Sequence, residues 1–144
     1  MGFGLPAAIG AKIGVPDKEV VLLVGDGGLQ MTIQELGTIM QSDIPVKIVV
    51  LNNSFLGMVR QWQEIFYEKR YSFTELADPD FTTVAKAYRI DARRVDTYEG
   101  LKEAVKEMKE SKKAYLLEVV VKKEENVFPM IPAGGSVTET LLSV

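Results

Sequence analysis
The sequence predicts an α/β fold: a parallel sheet with helices on both faces. Short β-branched runs alternate with helix-like stretches, the pattern of repeated strand–helix–strand units. The strand-like runs are apolar throughout rather than alternating, as in strands covered on both sides. A chain of 144 residues with 47% apolar content is long enough for one domain with its own core.

The elements follow in order. Leu5 to Ile13 is small and apolar, follows Gly4 and stops at Gly14 before Pro16, which predicts a buried helix. Glu19 to Val24 (EVVLLV) predicts a strand covered on both faces. Thr32 to Gln41 predicts a helix with Ile33, Leu36, Ile39 and Met40 on one stripe, broken at Ser42-Asp43-Ile44-Pro45. Val46 to Leu51 is a second buried strand, and Met58 to Phe66 a helix. Asp80 is placed to cap a helix running to about Tyr88. Ala92 to Val95 is a short strand. Glu99 to Lys112 is an amphipathic helix, with Leu101, Ala104, Val105 and Met108 inward and Glu/Lys pairs at i,i+3 outside. Tyr115 to Val121 is a last buried strand. Residues 1–122 read as the α/β domain and 123–144 as a Pro/Gly-rich C-terminal tail of the same domain. The glycine-rich opening Met1-Gly2-Phe3-Gly4 has no strand before it, so the fold is expected to be truncated at its N-terminus.

Composition removes several classes of function. With 17 basic and 20 acidic residues the net charge is −3, so no basic surplus points to nucleic acid or an anionic membrane. The longest apolar runs, such as Val20–Val24, fall far short of the roughly 20 residues of a spanning helix. The absence of cysteine removes disulfides, thiolate nucleophiles and iron–sulfur ligation, and fits a cytoplasmic protein. The absence of histidine removes imidazole bases and His-held metals, so any metal must be held by oxygen.

One constellation carries chemistry. The first strand runs into Gly25-Asp26-Gly27-Gly28, and 24 residues separate Gly27 from Asn52-Asn53 at the end of the next strand. Ligands of open α/β sheets sit at the carboxyl ends of strands, and a helix N-terminus in the same crevice favours phosphate. Adjacent strand ends would set Asp26 beside an asparagine. One carboxylate and one amide oxygen form a partial magnesium site, which water and substrate phosphates complete. The reading is a magnesium–diphosphate clamp. Taken singly, each half is also an ordinary turn. A GxGxxG motif would need glycine where Gln30 stands, and no GxxxxGK[ST] occurs. Met58 and Trp62, four apart, equally fit the core face of a helix.

Gly-Asp-Gly followed at this spacing by Asn-Asn resembles the fingerprint of thiamine-diphosphate enzymes. MGFGLPAAIGA at Met1–Ala11, GMVRQWQEIFY at Gly57–Tyr67, Arg70–Leu76 and ENVFPMIPAGG at Glu125–Gly135 resemble the C-terminal cofactor-binding domain of acetohydroxyacid synthase (acetolactate synthase) large subunits. The Met58…Trp62 segment and the ENVFPM tail narrow the resemblance to this family rather than to pyruvate oxidase or carboligase types. A non-catalytic phosphate-binding module is the remaining alternative. Phe73 departs from the histidine frequent in that family.

The resemblance implies roles. Asp26 and Asn53 would bind Mg²⁺ by side chain, and the backbone oxygen of Phe55 would be a third ligand. Gly25, Gly27, Gly28 and Gly57 would lie against the cofactor, with Gly27 and Gly28 offering N–H groups to the diphosphate. Met1 would prop the bent cofactor, Met58 and Val59 would line its channel, and Val59 and Trp62 would shape the second-substrate pocket. The implied reaction condenses pyruvate with pyruvate or 2-oxobutyrate through a thiamine diphosphate enamine, in branched-chain amino acid biosynthesis. The implied assembly is a homo-oligomer, with a regulatory subunit as a further candidate partner. The family's catalytic glutamate and its FAD site lie in other domains, so the isolated chain is expected to form no acetolactate.

Overall fold
The computed structural model describes residues 1–143; Val144, the last residue of the expected tail, lies outside them. The elements are α1 (Gly4–Gly14), β1 (Val21–Gly25), α2 (Asp26–Gln30), a 3-10 turn (Ile33–Glu35), α3 (Leu36–Ser42), β2 (Lys47–Asn52), α4 (Gly57–Phe66), α5 (Phe81–Ala87), β3 (Asp91–Val95), α6 (Tyr98–Glu110) and β4 (Tyr115–Val120), with a second 3-10 turn at Val137–Glu139. The four strands form one parallel sheet in the order β1-β2-β4-β3. All four carboxyl ends therefore open on the same edge, where an α/β sheet holds its ligands.

Two cores flank the sheet. On one face Leu22, Ile48, Val50 and Leu116 meet Leu5, Leu29, Leu36, Ile39 and Phe81 from the helices. On the other, Val49, Val95, Tyr115 and Leu117 meet Ala104 and Met108 of α6, with Leu101 of the same helix packed against them. Helices thus lie on both faces, as predicted, but unevenly. Among the described residues no helix covers β1 on the α6 side, and Leu23 is 69% exposed there, beside exposed Val21 and Leu51. This corrects the expectation of a first strand covered on both faces. The apolar run of β1 resembles that of a central strand, yet β1 stands at the sheet edge.

Local chemistry explains several boundaries. Asp80 caps α5 as predicted, its carboxylate accepting from Thr83 N–H at 2.9 Å. The predicted helix over Thr32–Gln41 breaks into a 3-10 turn followed by α3, because Thr32 sits outside helical geometry at φ −135°. Asp43 ends α3 in the left-handed region. Val105 of α6 is exposed rather than inward. The i,i+3 pairs expected on that helix give way to others. Arg93 of β3 reaches Glu103 and Glu107, and Lys106 lies 3.9 Å from Glu110 at i,i+4.

Candidate functional site
Residues at the ends of β1 and β2 build the site. Gly25 closes β1 opposite Leu51, one residue before Asn52 ends β2. Asp26 follows at the head of α2 and is almost fully buried. One carboxylate oxygen accepts from Gly27 N–H at 2.8 Å, the other from Ser54 N–H at 2.7 Å. The strand ends are thereby tied by the carboxylate that the sequence singled out. Burial pushes the Asp26 carboxyl above its usual range. The neighbouring Asp78 adds to the rise, and the Gly27 and Ser54 N–H groups oppose it.

Ser54 takes a left-handed conformation at φ 55°, which lets the chain turn sharply off β2. The turn is held from behind. Asn52 Oδ1 accepts from Ser54 N–H at 2.9 Å, and Asn52 Nδ2 donates to buried Glu118 at 2.8 Å. Glu118 in turn lies 3.1 Å from Arg94. Of the two asparagines, Asn52 faces inward as a brace, while Asn53 borders the crevice and takes Phe55 N–H at 3.1 Å.

Phe55 runs antiparallel to Glu75. The ladder bonds there run from Leu56 N–H to Thr74 and from Leu76 N–H to Ser54, and neither uses the Phe55 carbonyl. A Cβ on Gly57 would come within 3.1 Å of Asn53 Nδ2, so glycine there leaves the amide its place.

These residues share one cavity of about 520 Å³, within the range of small-molecule sites. It is lined by Met1, Gly25, Asp26, Gly27, Gly28, Asn53, Phe55, Gly57, Met58 and Val59 among others. Trp62 lines a second cavity of about 680 Å³ that shares Met58 and Val59 with the first. Every site residue named from the sequence therefore borders one of two adjoining cavities. The donor set of one carboxylate, one amide and a backbone carbonyl, all oxygen, suits magnesium. Among the described residues no group of three or more acidic side chains gathers to offer a different metal site. Gly27 N–H is already engaged by Asp26.

Sequence reasoning missed one part of this region. Arginine and glutamine are residue types that mostly stay exposed, yet Arg60 is 0% exposed, with Gln61 buried beside it. Arg60 pairs with Glu64 at 2.8 Å and with Asn126, and lies over the Tyr71 ring. The spacing 60, 61, 64 marks one helix face, beside that of Met58 and Trp62; that polar stripe was the available signal.

Residues 1–119 match the family described as "Thiamine pyrophosphate enzyme, C-terminal TPP binding domain", and the chain belongs to that family. Among individual proteins, it is 46% identical over 142 residues to the acetolactate synthase isozyme 2 large subunit of Escherichia coli, covering 98% of this chain and 26% of that one. It is 49% identical over 135 residues to the acetolactate synthase large subunit of Lactococcus lactis, covering 93% and 23%. Among solved structures, a Rhodococcus jostii thiamine diphosphate-dependent 4-hydroxybenzoylformate decarboxylase superposes with a TM-score of 0.81 at 33% identity, over 88% of this chain and 24% of that one. The chain thus spans about a quarter of the length of these relatives. No described helix is long and apolar enough to cross a membrane.

Proposed function
We propose that the chain is the cofactor-binding part of an acetolactate synthase, holding thiamine diphosphate through Mg²⁺ so that pyruvate is joined to pyruvate or 2-oxobutyrate. The observation that supports this reading is that Asp26, Asn53 and Phe55 line one cavity beside the carboxyl ends of two adjacent parallel strands. Identities of 46% and 49% to acetolactate synthases, against 33% to the decarboxylase, favour this activity over other thiamine-dependent 2-oxoacid enzymes.

In this reading Asp26, Asn53 and the Phe55 oxygen hold the ion, and Gly28 N–H meets the diphosphate. Bound thiamine diphosphate supplies the electron sink that decarboxylation of a 2-oxoacid requires. The chain's own residues bind and orient. Gly25, Gly27 and Gly57 let backbone approach the cofactor, while Met1 and Met58 give apolar support. Val59 and Trp62 border the space for the second 2-oxoacid. No acid–base residue of this chain is assigned a proton-transfer role. Self-association, a regulatory partner, FAD elsewhere in the complete enzyme and a cytoplasmic setting belong to the same proposal.

Calorimetric titration with thiamine diphosphate, with and without Mg²⁺, tests it. The expected result is magnesium-dependent binding, weakened at least about 100-fold in Asp26→Ala, since even partners behind a metal ligand account for about 10–100-fold. Magnesium-independent binding, preference for a nucleotide, or an unaffected Asp26→Ala variant would sink the reading.

A further inference from the structure
Helix α4 is gripped from two sides by the same device. Gln63 takes Ser72 N–H at 3.0 Å and gives its amide to Ser72 C=O at 3.1 Å, fastening α4 to the loop that follows it. Gln61 does the same with Val127, accepting its N–H at 2.8 Å and donating to its C=O at 3.0 Å, but Val127 lies 66 residues away in the tail. Directly beside it, Arg60, Glu64 and Asn126 close a triangle. Arg60 donates to both partners, and Asn126 Nδ2 donates to Glu64 at 3.0 Å. The Asn126 amide and the Arg60 guanidinium hold the Glu64 carboxyl below its usual range. Arg60 and Gln61 are buried. A side-chain amide paired with both backbone polar groups of one residue fixes that residue in direction as well as distance.

Met58, Val59 and Trp62 stand on α4 beside this polar stripe and border the two cavities. We propose that Gln61 and Arg60 are positioning residues that latch the Asn126–Met130 segment to α4, so that the tail sets the placement of Trp62 and with it the shape of the second-substrate pocket. The latch rests on the reading of that cavity as a substrate pocket, but its geometry is independent of the cofactor. Tail and pocket wall then shift together: loosening either releases the other.

Trp62 is the only tryptophan in the chain, so its fluorescence reports the pocket wall directly. It is half-buried and packs on Phe66 at 4.8 Å between ring centroids. Two variants break the latch from opposite sides: Gln61→Ala on the helix and Asn126→Ala on the tail. With far-UV circular dichroism unchanged and temperature well below melting, acrylamide quenching of Trp62 should rise at least about twofold in both, with emission shifted to the red, as a locally released helix samples open states. If Gln61→Ala fails to fold, Asn126→Ala decides. Unchanged Trp62 emission and quenching in folded Asn126→Ala overturn the proposal. Titration of the unaltered chain with thiamine diphosphate and Mg²⁺ separates the two readings. Absence of magnesium-dependent heat removes the proposed function, whereas the quenching experiment alone rules on the latch.

Discussion

The pair Arg94–Glu118 gives a measurement in which burial and exposure pull in opposite directions. Arg94 is 55% exposed, and by itself an exposed arginine contributes little, about 0–1 kcal/mol through a surface ion pair. Glu118 is 0% exposed, and one of its carboxylate oxygens has no hydrogen-bond partner. Removing one partner of a buried pair leaves a buried charge uncompensated, at about 3–5 kcal/mol. Solvent reaches the arginine end here and brings the cost below that range, so Arg94→Ala should cost about 2–3 kcal/mol. At roughly 2–4 °C per kcal/mol for a chain near this size, melting should fall by roughly 4–12 °C. In a Glu118→Gln background no buried charge is stranded, and the same arginine change should cost under about 1 kcal/mol. Urea unfolding of the four proteins in this double-mutant cycle gives the coupling. A coupling within about 0.5 kcal/mol of zero would refute the reasoning, because independent sites add to within that margin.

Two further outcomes follow from the fold. The Asp80 carboxyl is held down at about 2 by Thr82 and Thr83 donors, so its stabilising contribution is complete above the ordinary value of 3.8 and fades as pH falls through about 2. Asp80→Ala should therefore lower the melting temperature at neutral pH, with the gap to the unaltered chain closing on acidification; a gap independent of pH would contradict this. The open face at Val21 and Leu23 should drive concentration-dependent association, and Leu23→Lys should reduce it in light scattering. A monomeric unaltered chain at high concentration would rule that out.

The strands were legible because runs such as Val46–Leu51 and Tyr115–Val121 carry β-branched residues without a helical period, and their edges shifted by only a residue or so. The site was legible because its parts sit at strand ends, where position in the sequence maps onto position in space. Other features were hidden. The short α2 begins at Asp26 itself, and two glycines masked its helical character. The α4–tail contact joins residues 66 apart, and nothing local in either segment announces the other. Arginine and glutamine read as surface residues by composition; only their shared helix face hinted otherwise. Likewise, which strand is the border of the sheet depends on β1 pairing only with β2, an order that no hydropathy pattern encodes.

That border position has a mechanical consequence. Asp26 leaves the outermost strand and Asn53 leaves the interior one, so whatever fills the space between them acts as a rivet from rim to centre. The outer strand, which has a neighbour on one flank alone, is the natural place for the sheet to peel, and occupancy of the crevice would suppress that peeling and ligand escape in a single stroke.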